Sequence, residues 1–119
     1  MMLDVQVKNL GTVAILRLQG HFVIGQTEIL HDVFRSLPQI SSVILDLERV
    51  SIVDAHGLGV MLQLRGEAQA KGVSFALMNV SKPLREILEI THLNSVFQIT
   101  AGAGFFPRLV HPHRAPVAA

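Results

Sequence analysis

The stretch VILDLERVSIVDAHGLG, from Val43 to Gly59, predicts a β-strand that runs directly into the start of a helix. Residues 43–47 form a nearly continuous apolar run, which is typical of a strand covered by other layers. Asp54 marks the predicted helix start, because its short carboxylate can accept hydrogen bonds from the free N–H groups of the first turn. Gly57 and Gly59 would let another surface approach the backbone closely. In α/β proteins, such a junction is a common place for a functional site.

Hydrophobic periodicity on either side of this stretch predicts strands and helices in alternation. Apolar and polar residues alternate over residues 3–7 and 13–18, which predicts a hairpin. Helical spacing is found at 27–37, at 55–71 and from Ser81 onward, and further strands are predicted at 43–47, 73–78 and 96–99. The sequence therefore predicts a single α/β domain of order β-β-α-β-α-β-α-β. Right-handed crossovers would give a mixed, mostly parallel sheet of about five strands with helices mainly on one face.

The order of apolar strand, Asp, two residues, Gly, Leu, Gly and apolar helix resembles the motif of STAS domains. This family includes bacterial anti-sigma factor antagonists and the cytoplasmic tails of sulfate transporters. The likeness extends over roughly residues 3–100 and includes the Lys-Pro-Leu start of the third helix at Lys82–Leu84. It implies a STAS-type fold, and we assign residues 1–100 to one STAS domain.

One position departs from the pattern of the regulated members of this family. In those members, the residue immediately before the first glycine is a Ser or Thr that an anti-sigma kinase phosphorylates. The phosphorylation-equivalent position here is His56, and it is preceded by Ala55. Neither side chain has a hydroxyl group, so neither can carry the phosphate ester. The resemblance therefore implies partner binding without Ser phosphorylation at this loop.

The chain after the last predicted strand has a different composition. Residues 101–119 are rich in Gly, Ala and Pro and have no hydrophobic periodicity. They are predicted to form a flexible or loosely docked C-terminal tail. Four apolar residues in it could pack on the domain or on a second copy: Phe105, Phe106, Leu109 and Val110.

Amino-acid composition indicates which kinds of partner this protein can bind and in which compartment it is expected. The formal net charge of +1 leaves no electrostatic footprint for nucleic acid. No uninterrupted apolar run approaches the length of about 20 residues that a membrane span needs, so no membrane insertion is expected. The chain has no cysteine, which suits a reducing compartment, and a cytoplasmic location is expected.

Residues that could carry chemistry are few. Asp54 and His56 lie two positions apart, but one His and one Asp fall short of the three protein ligands of a catalytic zinc site. Gly57 and Gly59 lack the third glycine of a dinucleotide fingerprint, because position 62 is Leu62. There is also no G-x-S-x-G motif. We therefore expect no enzyme activity, no catalytic residue, no metal and no cofactor.

The predicted partner-binding surface is centred on the start of the second helix. Val60 and Leu62 lie on either side of the main apolar stripe of that helix and could serve a docking surface. By resemblance, the preceding strand-to-helix loop borders the same surface. The predicted residues are Asp54, Ala55, His56, Gly57, Leu58, Gly59, Val60 and Leu62, with His21, Phe22 and Ile24 as secondary candidates.

The resemblance also implies a kind of partner. That partner would be an anti-sigma factor of the histidine-kinase-like ATPase class or a related ATPase-fold protein, for which the domain would compete with a sigma factor. Two other functions stay open: a STAS subunit of a lipid-transporting ABC system, and a sensor of a nucleotide or a small apolar molecule. A homodimer stays open as well.

Overall fold

The computed structural model describes residues 2–100, which form five strands and three α-helices. In chain order these are β1 (Asp4–Leu10), β2 (Val13–Phe22), α1 (Glu28–Arg35), β3 (Ser42–Val53), α2 (Ala55–Ala70), β4 (Ser74–Met78), α3 (Lys82–Ile90) and β5 (Gln98–Thr100). The strands lie side by side in the order β1-β2-β3-β4-β5. β1 is antiparallel to β2, and the other pairs are parallel. The predicted fold class and element order are confirmed.

The main core lies between the three helices and one face of the sheet. Alternation along β3 directs Val43, Leu45 and Leu47 towards the helices, where each is at most 1% exposed. Helices α1, α2 and α3 supply Leu30, Phe34, Met61, Leu64, Ala68, Leu84 and Leu88 to this core. The opposite face of the sheet carries a smaller cluster of Ile15, Ile44, Ala76 and Met78. All three described helices therefore contribute to the core on one face only.

Several strands differ from their predicted bounds, and β1 and β2 end at Leu10 and Phe22 rather than at residues 7 and 18. β3 continues to Val53 rather than ending at residue 47, since register irregularities in β2 on either side of Gln19 and Gly20 let the pairing continue to the start of α2. The last strand begins at Gln98 because a 3-10 turn at Leu93–Ser95 occupies the preceding chain. Ile52 lies in the added part of β3 and is 51% exposed, although an isoleucine in a strand is typically buried.

The chain beyond β5 falls outside the described residues, and so does the predicted tail at 101–119. Within residues 2–100, no helix has the length and apolar character to cross a membrane. The same part of the chain holds no group of three or more His, Cys, Asp or Glu side chains arranged for a metal ion.

Candidate functional site

The carboxyl ends of three strands lie along one edge of the sheet. Strands β2, β3 and β4 are parallel neighbours, so their last residues share this edge. The loop after β2, the start of α2 and the start of α3 all leave the sheet there. We call this region the carboxyl edge. In open α/β sheets, this is the edge where binding sites form.

Asp54 joins the start of α2 to the loop after β2. Its Oδ1 accepts a hydrogen bond from the backbone N–H of Gly57 at 2.9 Å, and its Oδ2 accepts one from the N–H of Ile24 at 3.0 Å. Both hydrogen bonds stabilise the ionised carboxylate, and the bond from Gly57 has the larger effect. Together they hold the pKa of the Asp54 carboxyl below its usual range. Asp54 is thus the predicted helix N-cap, and it also holds a second segment in place.

His56 makes a second connection between the same loop and α2. Its Nε2 lies 3.2 Å from Oγ1 of Thr27, a residue that is 5% exposed and occupies the N-cap position of α1. The Thr27 hydroxyl makes no capping bond to the first turn of α1 and contacts the imidazole instead. Sequence reasoning missed Thr27, for which the only signal was a hydroxyl residue at the start of a helical pattern.

Gly57 allows a close approach inside the molecule. A Cβ at this position would collide with the carbonyl oxygen of Phe22 and would lie 3.2 Å from Cγ1 of Val53. A Cβ built at Gly59 has nothing within 4 Å. The missing side chain of Gly57 therefore serves the contact between α2 and β2, whereas Gly59 lies on the exposed side of the helix.

Three residues of the predicted binding surface are buried. Phe22 is 0% exposed and Val60 is 4% exposed, because both side chains pack into the core beneath the helices. Gly57 is buried against Phe22. The side chains of Phe22 and Val60 are therefore unavailable to a partner, and the buried Gly57 has no side chain, so we remove these three residues from the predicted surface. The remaining predicted residues are accessible at least in part: His21, Ile24, Asp54, Ala55, His56, Leu58, Gly59 and Leu62.

A groove that the sequence did not indicate lies beside these residues. It has a volume of about 210 Å³ and runs between the carboxyl end of β3 and the first turns of α3. Ile52 and Ile87 line it together with Ser51 and Pro83. Ile87 has the helical spacing of the core residues Leu84 and Leu88 but is 37% exposed. Both isoleucines fit an apolar pattern, yet they lie where the covering layer ends.

A family model for the STAS domain matches residues 4–109. The chain belongs to the STAS domain family. Among curated proteins, this STAS domain is 27% identical over 86 residues to a STAS-domain containing protein of Pseudomonas aeruginosa (strain UCBPP-PA14), a match that covers 71% of this chain and 85% of the relative.

Two solved structures show how well the fold is shared. A putative anti-sigma factor antagonist from Thermotoga maritima superposes with a TM-score of 0.77 at 20% identity, covering 90% of this chain and 95% of that one. The unphosphorylated form of the anti-sigma factor antagonist SpoIIAA gives a TM-score of 0.73 at 19% identity, covering 94% of this chain and 100% of that one. At these identities, the likeness shows a common fold.

Proposed function

We propose that this STAS domain is a regulatory protein-binding module whose partner is an anti-sigma factor of the histidine-kinase-like ATPase class or a related ATPase-fold protein. The observation that carries this function is the set of exposed apolar residues around the carboxyl edge. Ile24 is 70% exposed, Ile52 is 51% exposed, and Leu62 and Ile87 are each 37% exposed. Large apolar side chains left open around one edge are typical of a protein interaction site. The fold neighbours named as anti-sigma factor antagonists support this kind of partner.

The polar contacts at this edge would prepare the surface for binding. Asp54 and His56 each bond to the segment that carries Ile24, so the loop after β2 is held against the start of α2. A loop that is already ordered loses less conformational freedom when a partner binds. Asp54 and His56 therefore act as positioning residues, and the apolar residues provide the contact area.

Control of this module would not use a phosphate ester at the loop. SpoIIAA has been solved in unphosphorylated and phosphorylated forms. In this chain, Ala55 and His56 have no hydroxyl group, and the nearby hydroxyl of Thr27 belongs to a residue that is only 5% exposed. We infer that binding is constitutive at this position, with control by protein abundance or by another residue.

Calorimetric titration of the full chain against purified anti-sigma factors of the ATPase class tests this function. His56→Glu adds a carboxylate at a helix start, where negative charge is compatible with the fold. We expect at least a tenfold loss of affinity, since the new charge must be desolvated at the interface. His56→Ser is the matched control, because it also lacks the imidazole but adds no charge, and its affinity should stay within about threefold of the wild type, since the lost contact with Thr27 is weak. Equal affinity of the wild type and a folded His56→Glu variant would show that the loop is not the interface.

Incubation with ATP and a purified anti-sigma kinase that phosphorylates related antagonists tests the mode of control. Intact-mass measurement and peptide mapping should find no phosphate on residues 55 and 56 of the wild type, and a phosphate on the loop of His56→Ser. Acid-labile phosphate on His56 would contradict this expectation.

The same titrations test the alternative role as a subunit of a lipid-transporting ABC system. If no anti-sigma factor binds and the ATPase subunit of an ABC transporter does, the transporter role replaces the antagonist role.

A further inference from the structure

Strand β1 lies at one side of the sheet. Within residues 2–100 it pairs only with β2, through seven consecutive residue pairs without an irregularity. Both of its ends are held, because a turn at Gly11 joins it to β2 and the backbone N–H of Leu3 donates to Oε1 of Gln26 at 3.2 Å. β1 therefore presents a regular row of backbone groups on its other side, which is a template for a further strand. We call this side the outer edge.

The hairpin turn determines which backbone groups of β1 face the outer edge. A two-residue turn, in which Gly11 has a φ of 64°, closes on the pair Leu10 and Val13. In such a hairpin the closing pair is hydrogen-bonded, and bonded and non-bonded pairs then alternate along the two strands. The even-numbered residues of β1 therefore bond to β2, whereas the N–H and C=O groups of Val5 and Val7 point to the outer edge.

The sequence of β1 is complementary to itself when two copies run antiparallel. In the segment DVQVK, which starts at Asp4, an acidic and a basic residue lie at equal distances from the central Gln6, with a valine on each side of it. We propose that two copies of this chain form a dimer through the outer edges of β1, about a two-fold axis at Gln6. Asp4 then lies opposite the partner's Lys8, and Val5 lies opposite the partner's Val7.

Backbone and side chains select the same register. Val5 and Val7 both direct their backbone groups to the outer edge, so the valine pairs across the interface are the hydrogen-bonded pairs. Two-fold registers centred on Val5 or Val7 would keep these bonds but would place Asp4 opposite an uncharged residue. Opposite charges directly across two strands stabilise the pairing. The Lys8 ammonium has three N–H donors, so it can bind this carboxylate in addition to its contact within its own chain.

The side chains of the outer edge divide between the two faces of the sheet. Val5 and Val7 lie on the helix side, since their neighbours in β2, Leu18 and Leu16, belong to the main core. Val7 is 43% exposed, and pairing would cover it and extend this apolar layer into the second protomer. The charged and polar residues lie on the opposite face, where all three are exposed: Asp4, Gln6 and Lys8.

The proposed assembly ends at two protomers. A two-fold interface uses the outer edge of each protomer once, so it leaves no unpaired outer edge to recruit a third copy. The sheets join into one, with the helices of both protomers on the same side. Because the two β1 strands run antiparallel, the two carboxyl edges face in opposite directions and stay open. The dimer and the proposed function are therefore independent, and either can fail without the other.

Reversal of the two charges tests the pairing. Sedimentation equilibrium of the full chain at about 1–500 μM should show a concentration-dependent rise to twice the monomer mass of 13.0 kDa. Asp4→Lys and Lys8→Asp each set like charges opposite one another twice, and each should weaken dimerisation by at least about tenfold. The double variant restores opposite charges and should dimerise within about threefold of the wild type. Asp32→Lys, on the exposed surface of α1, changes the net charge as Asp4→Lys does and should leave dimerisation unaltered.

A mixture of the two single variants gives a second readout. One variant has two basic residues at its outer edge and the other has two acidic residues, so the two chains are complementary to each other but not to themselves. An equimolar mixture should form a heterodimer with an affinity within about threefold of the wild-type dimer.

Cysteine crosslinking tests the register, because the chain has no cysteine of its own. Gln6 would lie opposite the partner's Gln6 in a non-hydrogen-bonded pair, whose Cα atoms are about 4.5 Å apart and within the range of a disulfide. Gln6→Cys should therefore form a disulfide-linked dimer under mild oxidation. Asn9→Cys is the matched control, since Asn9 is also exposed and uncharged, but its two copies would lie about 20 Å apart. We expect crosslinking of Gln6→Cys to be at least about tenfold faster.

Four results would overturn the inference. They are a monomer mass at every concentration, assemblies larger than a dimer, dimerisation that the charge reversals leave unchanged, and equal crosslinking of Gln6→Cys and Asn9→Cys. Thermal melts check that each variant is folded. If a charge reversal unfolds the chain, the crosslinking comparison decides alone, because both cysteine variants keep Asp4 and Lys8.

Discussion

The two flanks of α2 differ in what they contact. On the flank towards α1, His56 bonds to Thr27, and about three turns further along Oε2 of Glu67 lies 3.5 Å from Nη2 of Arg35. On the other flank, Leu62 is 37% exposed. The first flank is occupied by contacts within the chain, whereas the second leaves apolar surface available. One helix thus serves both stability and, in the proposed function, recognition.

The two glycines at the start of α2 show the same division. Gly57 faces β2, where a side chain would meet the backbone of Phe22, and Gly59 faces open space. A substitution at each glycine should therefore affect different properties. Gly57 should control the stability of the domain, and Gly59 should tolerate a side chain.

Gly57→Ala should produce the largest change in stability. The added Cβ would collide with the Phe22 carbonyl oxygen, which belongs to the backbone and can move only with β2. We expect a loss of roughly 3 kcal/mol in the free energy of unfolding. Gly59→Ala is the matched control and should raise stability by up to about 1 kcal/mol, because Ala favours helix more than Gly does. Urea denaturation, monitored by circular dichroism, measures the free energy of unfolding of both variants. Equal stability of the two variants would show that Gly57 and Gly59 do not differ in their contribution to stability.

Ile52→Glu should produce the largest change in partner binding. A charge in the groove beside α3 would have to be desolvated in a complex, and we expect about a 30-fold loss of affinity for the anti-sigma factor. Val7→Glu is the control, because Val7 is 43% exposed in the distant strand β1 and Ile52 is 51% exposed. Calorimetric titration gives the affinities, and thermal melts check the fold. The same loss in both variants would mean that the groove is not a specific contact.

Asp54→Ala should lower the melting temperature at pH 7 by about 5 °C, since α2 loses its N-cap. The pKa of the Asp54 carboxyl is lowered in the folded state from its ordinary value of 3.8. Its stabilising effect is therefore fully present above that ordinary value and is lost as the pH falls through the lower folded-state pKa. The gap between the wild type and Asp54→Ala should close as the pH falls below about 4. Asp32→Ala, on the exposed surface of α1, serves as the control. A gap that does not change with pH would contradict this prediction.

Periodicity and capping rules could predict most of the fold. Met61, Leu64 and Ala68 repeat at helical spacing, and all three are 0% exposed. Asp54 precedes the helix and caps it, as its side-chain chemistry predicts. These features depend on residues close together in the sequence, so local patterns were sufficient.

The composition of the site depended on contacts between distant parts of the chain. The bond between Thr27 and His56 joins residues 29 positions apart, and the bond between Ile24 and Asp54 joins residues 30 positions apart. No local pattern indicates such a pair. The exposure of Ile52 arises because β3 extends past the covering helices, whereas its sequence alone predicts a buried residue. The burial of Phe22 likewise depends on how closely Gly57 lets α2 approach.

The contact between Thr27 and His56 should give the smallest effect. A double-mutant cycle with Thr27→Val and His56→Ala measures the coupling energy of the pair. We expect about 0.5 kcal/mol, because the hydroxyl is buried whereas the imidazole can still bond to water. Thr12 and Ser41 provide the control cycle, since their hydroxyl oxygens lie 2.8 Å apart and their sequence separation is also 29 residues, but the contact is exposed. Its coupling should be smaller, because water replaces either partner at little cost. Equal coupling in the two cycles would mean that the Thr27 contact does not order the loop, and the two flanks of α2 would then differ only in packing.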